Sequence, residues 1–331
     1  MTGSRSGAAV AGSAVLALAA LGGTPGAAAA DDGRTLFTFT DPEIAESSGL
    51  VDRDGSVYTV NDSGAGPVLY AVDARTGHTT ARTTYSTDEV VDVEAMAPGR
   101  GGTVWVADIG DNAASRDTVS LYRVRPGSGG APRLDLTYPD GPRDAETLLA
   151  QPRTGRLFVV SKTVFGGTVY SVPSGARPGP ASRMRAFAQV PGLVTDGAFL
   201  PDGRHVVLRS YATASVYTFP GFERVGTFDL PVQRQGEGIS AGPSGRVLVS
   251  SEGVGTDVLE VDVPARLLRE HRPASASASP APAPATGADT TASPTGLRDR
   301  PVALGVQALA GLVLLGAASI ALRRVWRRNR G

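Results

Sequence analysis

Five segments of the chain open alike: "IAESSGLV", "DVEAMAPG", "RDAETLLA", "VTDGAFLP" and "QGEGISAG". Their acidic residues are Glu46, Glu94, Glu146, Asp196 and Glu237, spaced by 48, 52, 50 and 41 positions. Seven to nine residues after each acid comes a glycine: Gly55, Gly102, Gly155, Gly203 and Gly245. A β-rich run follows each glycine ("SVYTVND", "TVWVADI", "RLFVVSK", "RHVVLRS", "RVLVSSE"), then a second run ("VLYAVD", "SLYRV", "TVYSV", "SVYTF", "VLEVDV"). Four units carry a last extended piece such as "TARTTYS" or "RVGTFDL". No unit shows the period of an amphipathic helix. A repeat of about 40 to 50 residues with four short strands is a propeller blade. The expected fold is therefore all-β, a five-bladed β-propeller, with a six-bladed ring as the alternative. The fifth unit lacks a clean last strand, while "TLFTFT" at 35–40 alternates as a strand and has no unit of its own. Together these predict that the N-terminal strand closes the ring in blade 5.

The repeat accounts for only part of the 331 residues. Residues 1–30 hold one charge, Arg5, an apolar run from Ala8 to Leu21, and "GAAAA" before acidic "DDG". That order reads as a secretory signal cleaved after Ala30, too short to span a bilayer. Residues 31–272 form the propeller. Residues 273–300, rich in Ala, Pro, Ser and Thr, cannot bury a core and read as a disordered stalk. Residues 301–322 are uncharged and long enough for a transmembrane helix. The tail 323–331 carries five arginines in "RRVWRRNRG", which places it in the cytoplasm and the propeller outside a single-pass cell membrane protein.

Composition excludes several chemistries. With no cysteine there is no disulfide scaffold, thiol nucleophile, thiolate zinc site or lipoprotein anchor. The three histidines, His78, His205 and His271, lie in or beside turns or at the domain's end, none near a plausible nucleophile, which argues against Ser-His-Asp catalysis. Residues 31–271 contain 23 Lys and Arg against 30 Asp and Glu, which argues against nucleic acid as a partner.

The openings "E-S-S-G-L" and "D-A-E-T", the strand end "V-W-V-A-D-I-G-D-N" and the turn "P-D-G-R" resemble those of secreted bacterial β-propellers: the gluconolactonase-type and esterase-like phytase-type propellers and related WD40-like repeat proteins. The resemblance covers roughly residues 34 to 265. It implies the architecture and leaves the activity open, because that superfamily holds lactonases, phytases and sugar-binding proteins. The Trp-Asp dipeptide of WD40 repeats is absent, the tryptophans being Trp105 and Trp326.

In a propeller the first strand of each blade lines the central channel, and its start lies beside the end of the second strand. The five acids should thus ring the channel mouth. Like charges about 5 Å apart repel by roughly 3 kcal/mol per pair at an effective dielectric near 20. Protonation, basic partners or a metal must intervene. An all-oxygen set suits Ca²⁺ or Mg²⁺. The second-strand ends read Asn61-Asp62, Asp108-Ile109, Ser161-Lys162, Arg209-Ser210 and Ser251-Glu252, with Asp111 and Asn112 just beyond in blade 2. Metal ligands are expected among Glu46, Glu94, Glu146, Asp196, Glu237, Asp62 and Asp108. Ligand contacts are expected from Asn61, Asp111, Asn112, Lys162, Arg209 and Glu252. Blades 5, 1 and 2 would make an acidic sector, with Glu46, Glu94 and Glu237 beside Asp62 and Asp108 as the best cation site. Lys162 and Arg209 would either neutralise Glu146 and Asp196 in their own blades or meet a ligand. The carboxylates could equally latch blades together by accepting neighbouring backbone N–H groups.

The function expected is a membrane-anchored, extracytoplasmic binding or scaffold module. Its partner would be a small anionic or polyhydroxyl ligand or an extracellular protein. The alternatives are a metal-dependent hydrolase (lactonase, phosphoesterase or glycosidase) and a purely structural surface protein. Whether the chain is an enzyme stays open. The topology is directly testable: protease added to intact spheroplasts should remove the propeller and spare the arginine tail, and a protected propeller would refute the orientation.

Overall fold

The computed structural model describes residues 33–62 and 65–269. The signal sequence, stalk, membrane span and basic tail expected above lie outside the described residues. Among the described residues no helix is long and apolar enough to cross a membrane.

Five antiparallel sheets make the domain, and no sixth is present among the described residues. The inner strands are Ser47–Arg53, Val93–Pro98, Ala145–Ala150, Asp196–Phe199 and Gly236–Ala241. Each repeat opening is thus an inner strand, as expected, and contacts between neighbouring inner strands run right round the ring. The five recurring glycines sit in the hairpins that follow, all with φ between +63° and +88°, which a side chain would resist. That backbone requirement explains their recurrence.

Blade 5 is completed from the other end of the chain. Arg34–Thr38 pairs antiparallel with Asp257–Val261, giving the blade its fourth strand. The sheet of blade 2 gains a fifth strand, Ser182–Arg183, which crosses from blade 3 and pairs parallel with Arg133–Thr137.

Apolar packing lies between blades. Each of five buried clusters draws on two adjacent sheets. The one between blades 5 and 1 contains Phe37 and Phe39, with Leu50, Val57, Leu248 and Val258. The channel itself is filled. Leu50, Met96, Leu148, Ala198 and Ile239 project inward at equivalent positions, beside a cavity of about 10 Å³, at most the space of one water.

Arginines tie the blades at the end opposite the mouth. Arg53 donates to Gly99 O and Thr103 O of blade 2, both at 2.9 Å. Arg100 donates to Arg153 O (2.5 Å), and Arg153 to Asp202 O (2.7 Å). Arg246 of blade 5 pairs with Asp52 of blade 1 at 2.6 Å. A blade-to-blade latch therefore exists, built mainly from hairpin arginines and backbone carbonyls.

Closure by the N-terminal strand predicts that Phe39→Ala, 1% exposed in the wild type, costs about 3–5 kcal/mol in chemical denaturation, in the range for a buried aromatic truncated in a packed core. A loss below about 1 kcal/mol would mean that the strand does not hold the ring.

Candidate functional site

The start of each inner strand decides which side chains face the mouth. In blades 1, 2, 3 and 5 the register slips by one residue there, after the pairs Ser47–Asn61, Val93–Asp108, Ala145–Ser161 and Gly236–Ser251. Such a bulge inserts an extra residue and re-aims its side chain. Ser48, Glu94, Glu146 and Glu237 are those residues. The ring position of blade 1 is therefore Ser48, not Glu46, and its hydroxyl donates to Glu94 Oε2 at 3.4 Å and Glu94 O at 3.2 Å. Glu46 lies two residues earlier, level with Asp92, Asp144 and Gln235. The signal was legible: Glu94, Glu146 and Glu237 each precede the channel-lining apolar residue by two positions, but Glu46 precedes Leu50 by four.

The inner strand of blade 4 has no such bulge. Asp196 pairs directly with Arg209, and its side chain turns away from the others. Oδ2 accepts the backbone N–H of Ile239 in blade 5 at 2.8 Å, and the residue is fully buried. Asp196 is the blade-to-blade latch that the sequence allowed, and the expectation of five equivalent ring acids is corrected to three. Burial holds its carboxyl well above the usual range.

The ends of the second strands are structural. Asn61 Oδ1 accepts Ala45 N and Glu46 N at 3.1 Å, and its amide donates to Glu43 O at 2.6 Å. Asp108 accepts Val91 N (3.1 Å) and Asp92 N (3.0 Å), and pairs with Arg116 at 2.8 Å. Ser251 Oγ accepts Gln235 N at 3.0 Å. Each pins the residue two before the ring position, so Asn61 and Asp108 orient the site instead of lining it. Asp111 closes its own turn by accepting Ser115 N and Arg116 N. Asn112 is exposed in that turn, and Glu252 joins Gln235 O through its backbone N–H at 2.9 Å. Arg209 is 1% exposed and donates to Gly238 O (2.9 Å) and Ser250 O (3.2 Å) of blade 5. Gly236 leaves the room it needs, since a Cβ there would stand 1.9 Å from the guanidinium. Burial pulls Arg209 down to about 10, so it stays charged at neutral pH, but it faces no ligand.

Lys162, the one lysine of the chain, supplies the mouth's counter-charge. It pairs with Glu146, and its ammonium lies 5.9 Å from the ring of Tyr211 in blade 4. Burial opposes its charge, but Glu146 and Glu237 outweigh burial and hold it above its ordinary range. Burial also raises the carboxyls of Glu94, Glu146 and Glu237. Glu146 pushes the Glu94 carboxyl further up, Glu237 does the same to Glu146, and Glu146 Oε2 has no hydrogen-bond partner.

Among the described residues, one set of acids is close enough to share an ion. Asp62, Asp92 and Glu94 each place an oxygen within 4.8 Å of the others. Asp92, which the sequence reading passed over, belongs to the "DVE" that opens blade 2. Glu237, Glu146 and Asp108, all expected as ligands, are not in this set. The donors fit a hard divalent cation, and Gly110 completes the cradle: a Cβ there would lie 2.5 Å from Asp92 Oδ2 and 2.6 Å from Glu94 Oε1. Burial, then Glu146, Asp62 and Asp92, push the Glu94 carboxyl well up, the mark of negative charge that a cation would relieve.

The sheet topology makes this chain a five-bladed β-propeller. No family model and no curated protein matches it. Solved structures similar to it include a gluconolactonase from Xanthomonas campestris (17% identity, TM-score 0.43, covering 65% of this chain and 72% of that one). A nidogen/laminin complex matches at 13% identity and TM-score 0.44, covering 64% and 74%. A luciferin-regenerating enzyme matches at 10% and 0.39, covering 69% and 95%.

The role of Lys162 gives a pH test. Without its ammonium, the folded Glu146 carboxyl rises further above its unfolded value. Stability is then intact below the unfolded carboxylate pKa and lost as pH rises through the folded one. Lys162→Met should therefore lose about 3–5 kcal/mol at pH 8 and much less at pH 4.5, and adding Glu146→Gln should restore most of it. Equal losses at both pH values in chelator would show that Lys162 acts by packing alone.

Proposed function

We propose that this chain is an extracytoplasmic binding module, held at the cell membrane by its C-terminal segment, whose channel mouth carries a divalent cation. The observation that supports this reading is the convergence of Asp62, Asp92 and Glu94 around the space that Gly110 leaves open. Three monodentate carboxylates fill only part of the six to eight positions of Ca²⁺, so waters or a ligand's oxygens complete the shell. Ca²⁺ is preferred over Mg²⁺ because this set is built from several carboxylates and tolerates irregular geometry. Lys162 balances Glu146 and Glu237 next to the ion, and Asp108 fixes the backbone at Asp92.

A small anionic ligand finds little support in the side chains, because Lys162 and Arg209 are engaged internally. Hydrolysis finds little as well. The mouth carboxyls with raised pKa come as a group of three, not as one isolated acid. The fourth raised carboxyl, Asp196, is committed to a backbone N–H, and the channel below is filled.

Calorimetry of the chain with Ca²⁺ and with Mg²⁺ tests the site. One ion should bind, and at a hundredfold excess over Kd it should raise stability by about 2.7 kcal/mol. Asp92→Asn and Glu94→Gln should each abolish most of that gain, and Glu94→Gln should be no less stable than wild type in chelator. If neither ion shifts the melt of wild type, the cation reading fails.

A further inference from the structure

Among the described residues, eight large hydrophobic side chains are substantially exposed, and six of them sit at one end of the molecule. Val91, Val164, Phe165, Tyr211, Val232 and Val254 all lie in the connections that join strands at the mouth. Phe165 is 93% exposed and Val232 fully so. Single exposed hydrophobics are ordinary, but a cluster on one face marks an interaction surface.

Charge divides the same face. The ten mouth-end connections hold twelve acids and four bases, whereas the nine connections at the opposite end hold three acids and eight bases. The asymmetry continues within the mouth face. The four connections of blades 1 and 2 hold nine of the twelve acids and one base, Arg116. Those serving blades 3, 4 and 5 are balanced, three acids to three bases, and carry five of the six hydrophobics exposed at the mouth, all but Val91. Of the nine acids, Asp41 and Asp111 are buried, and Asp41 and Glu43 pair with Arg82. That leaves Glu46, Asp62, Asp88, Glu89, Asp92 and Asp117 to make this half of the face acidic beside the apolar half.

We infer that the mouth face docks a polypeptide segment that is itself two-sided, with lysine or arginine along one side and apolar side chains along the other. This rests on the binding-module reading above but not on the cation. Complementarity selects this occupant. The apolar half, on blades 3 to 5, would cover and be covered by the segment's hydrophobic side chains. The acidic half would steer and orient its basic side. An anionic lipid surface would be repelled by the acidic half, and a second copy of the chain would bring the same excess of negative charge against it.

The test uses fluorescence anisotropy of three labelled peptides with the purified full-length chain: alternating leucine and lysine, alternating leucine and glutamate, and alternating serine and lysine. The leucine–lysine peptide should bind about tenfold tighter than either control, because only it satisfies both halves. Phe165→Ser with Val232→Ser should remove that advantage over serine–lysine. Asp88→Asn with Glu89→Gln, both exposed and outside the cation set, should weaken binding and flatten its salt dependence. Arg75→Ser with Arg177→Ser, at the opposite end, should change nothing. Running each titration with Ca²⁺ and with chelator separates this inference from the cation site: peptide binding that survives chelation upholds the docking surface even if no ion binds. Equal affinity for all three peptides overturns the inference. So does a dimer in sedimentation velocity that the Phe165→Ser, Val232→Ser variant loses, or binding to phosphatidylglycerol vesicles that this variant abolishes.

Discussion

A propeller is stable only if its last blade meets its first, and here that junction depends on Phe37 and Phe39. They stand on and just after the N-terminal strand and pack between blades 5 and 1. Every apolar cluster in the domain is shared by two neighbouring sheets, so no blade has a core of its own. Without the closing strand, Asp257–Val261 would be an exposed edge and one interface would lose its aromatic filling. The arginine ties at the far end and the Asp196 latch near the mouth act on a ring that this strand has already closed.

The mouth is governed by a smaller feature, one extra residue at the start of four inner strands. The bulge swings Glu94, Glu146 and Glu237 toward the axis and does the same for Ser48. Blade 4 omits it, so an acid of the same type at the same apparent repeat position is spent on holding blades together. The consequence is electrostatic. Three buried carboxylates and one ammonium share a small space, and the residual negative charge gathers beside Asp62 and Asp92. The space that Asp62, Asp92 and Glu94 share is where we propose a cation, while Glu146 is paired with Lys162, Asp108 with Arg116, and Asp196 with a backbone N–H.

The two ends of the ring differ in chemistry. The far end is rich in arginines that are partly consumed in backbone bonds. The mouth end is acidic over blades 1 and 2 and apolar over blades 3 to 5. Both properties come from connections, which are free to vary because the strands and inter-blade packing carry the fold.

The blades, the turns between them and the closure are all legible in the linear pattern. Strand alternation, repeat spacing and the glycines at positive φ are local properties, and the missing strand of blade 5 could be matched to the spare one near the N-terminus by counting. Repeat alignment also placed Glu94, Glu146, Glu237 and Lys162 near the axis. It could not say which acids face it. Glu46 is set apart by its four-residue offset from Leu50, but Asp196 keeps the two-residue offset of the others, and a single-residue shift in strand register moves a side chain to the other face, a shift fixed only when two strands pair. Nor could it join Asp92 to Asp62, which belong to different blades, or show that Asn61, Asp108 and Arg209 were already committed to backbone groups. Those facts depend on which blades are neighbours, how far apart their strand ends stand, and which polar groups burial obliges to pair; only the closed ring decides them.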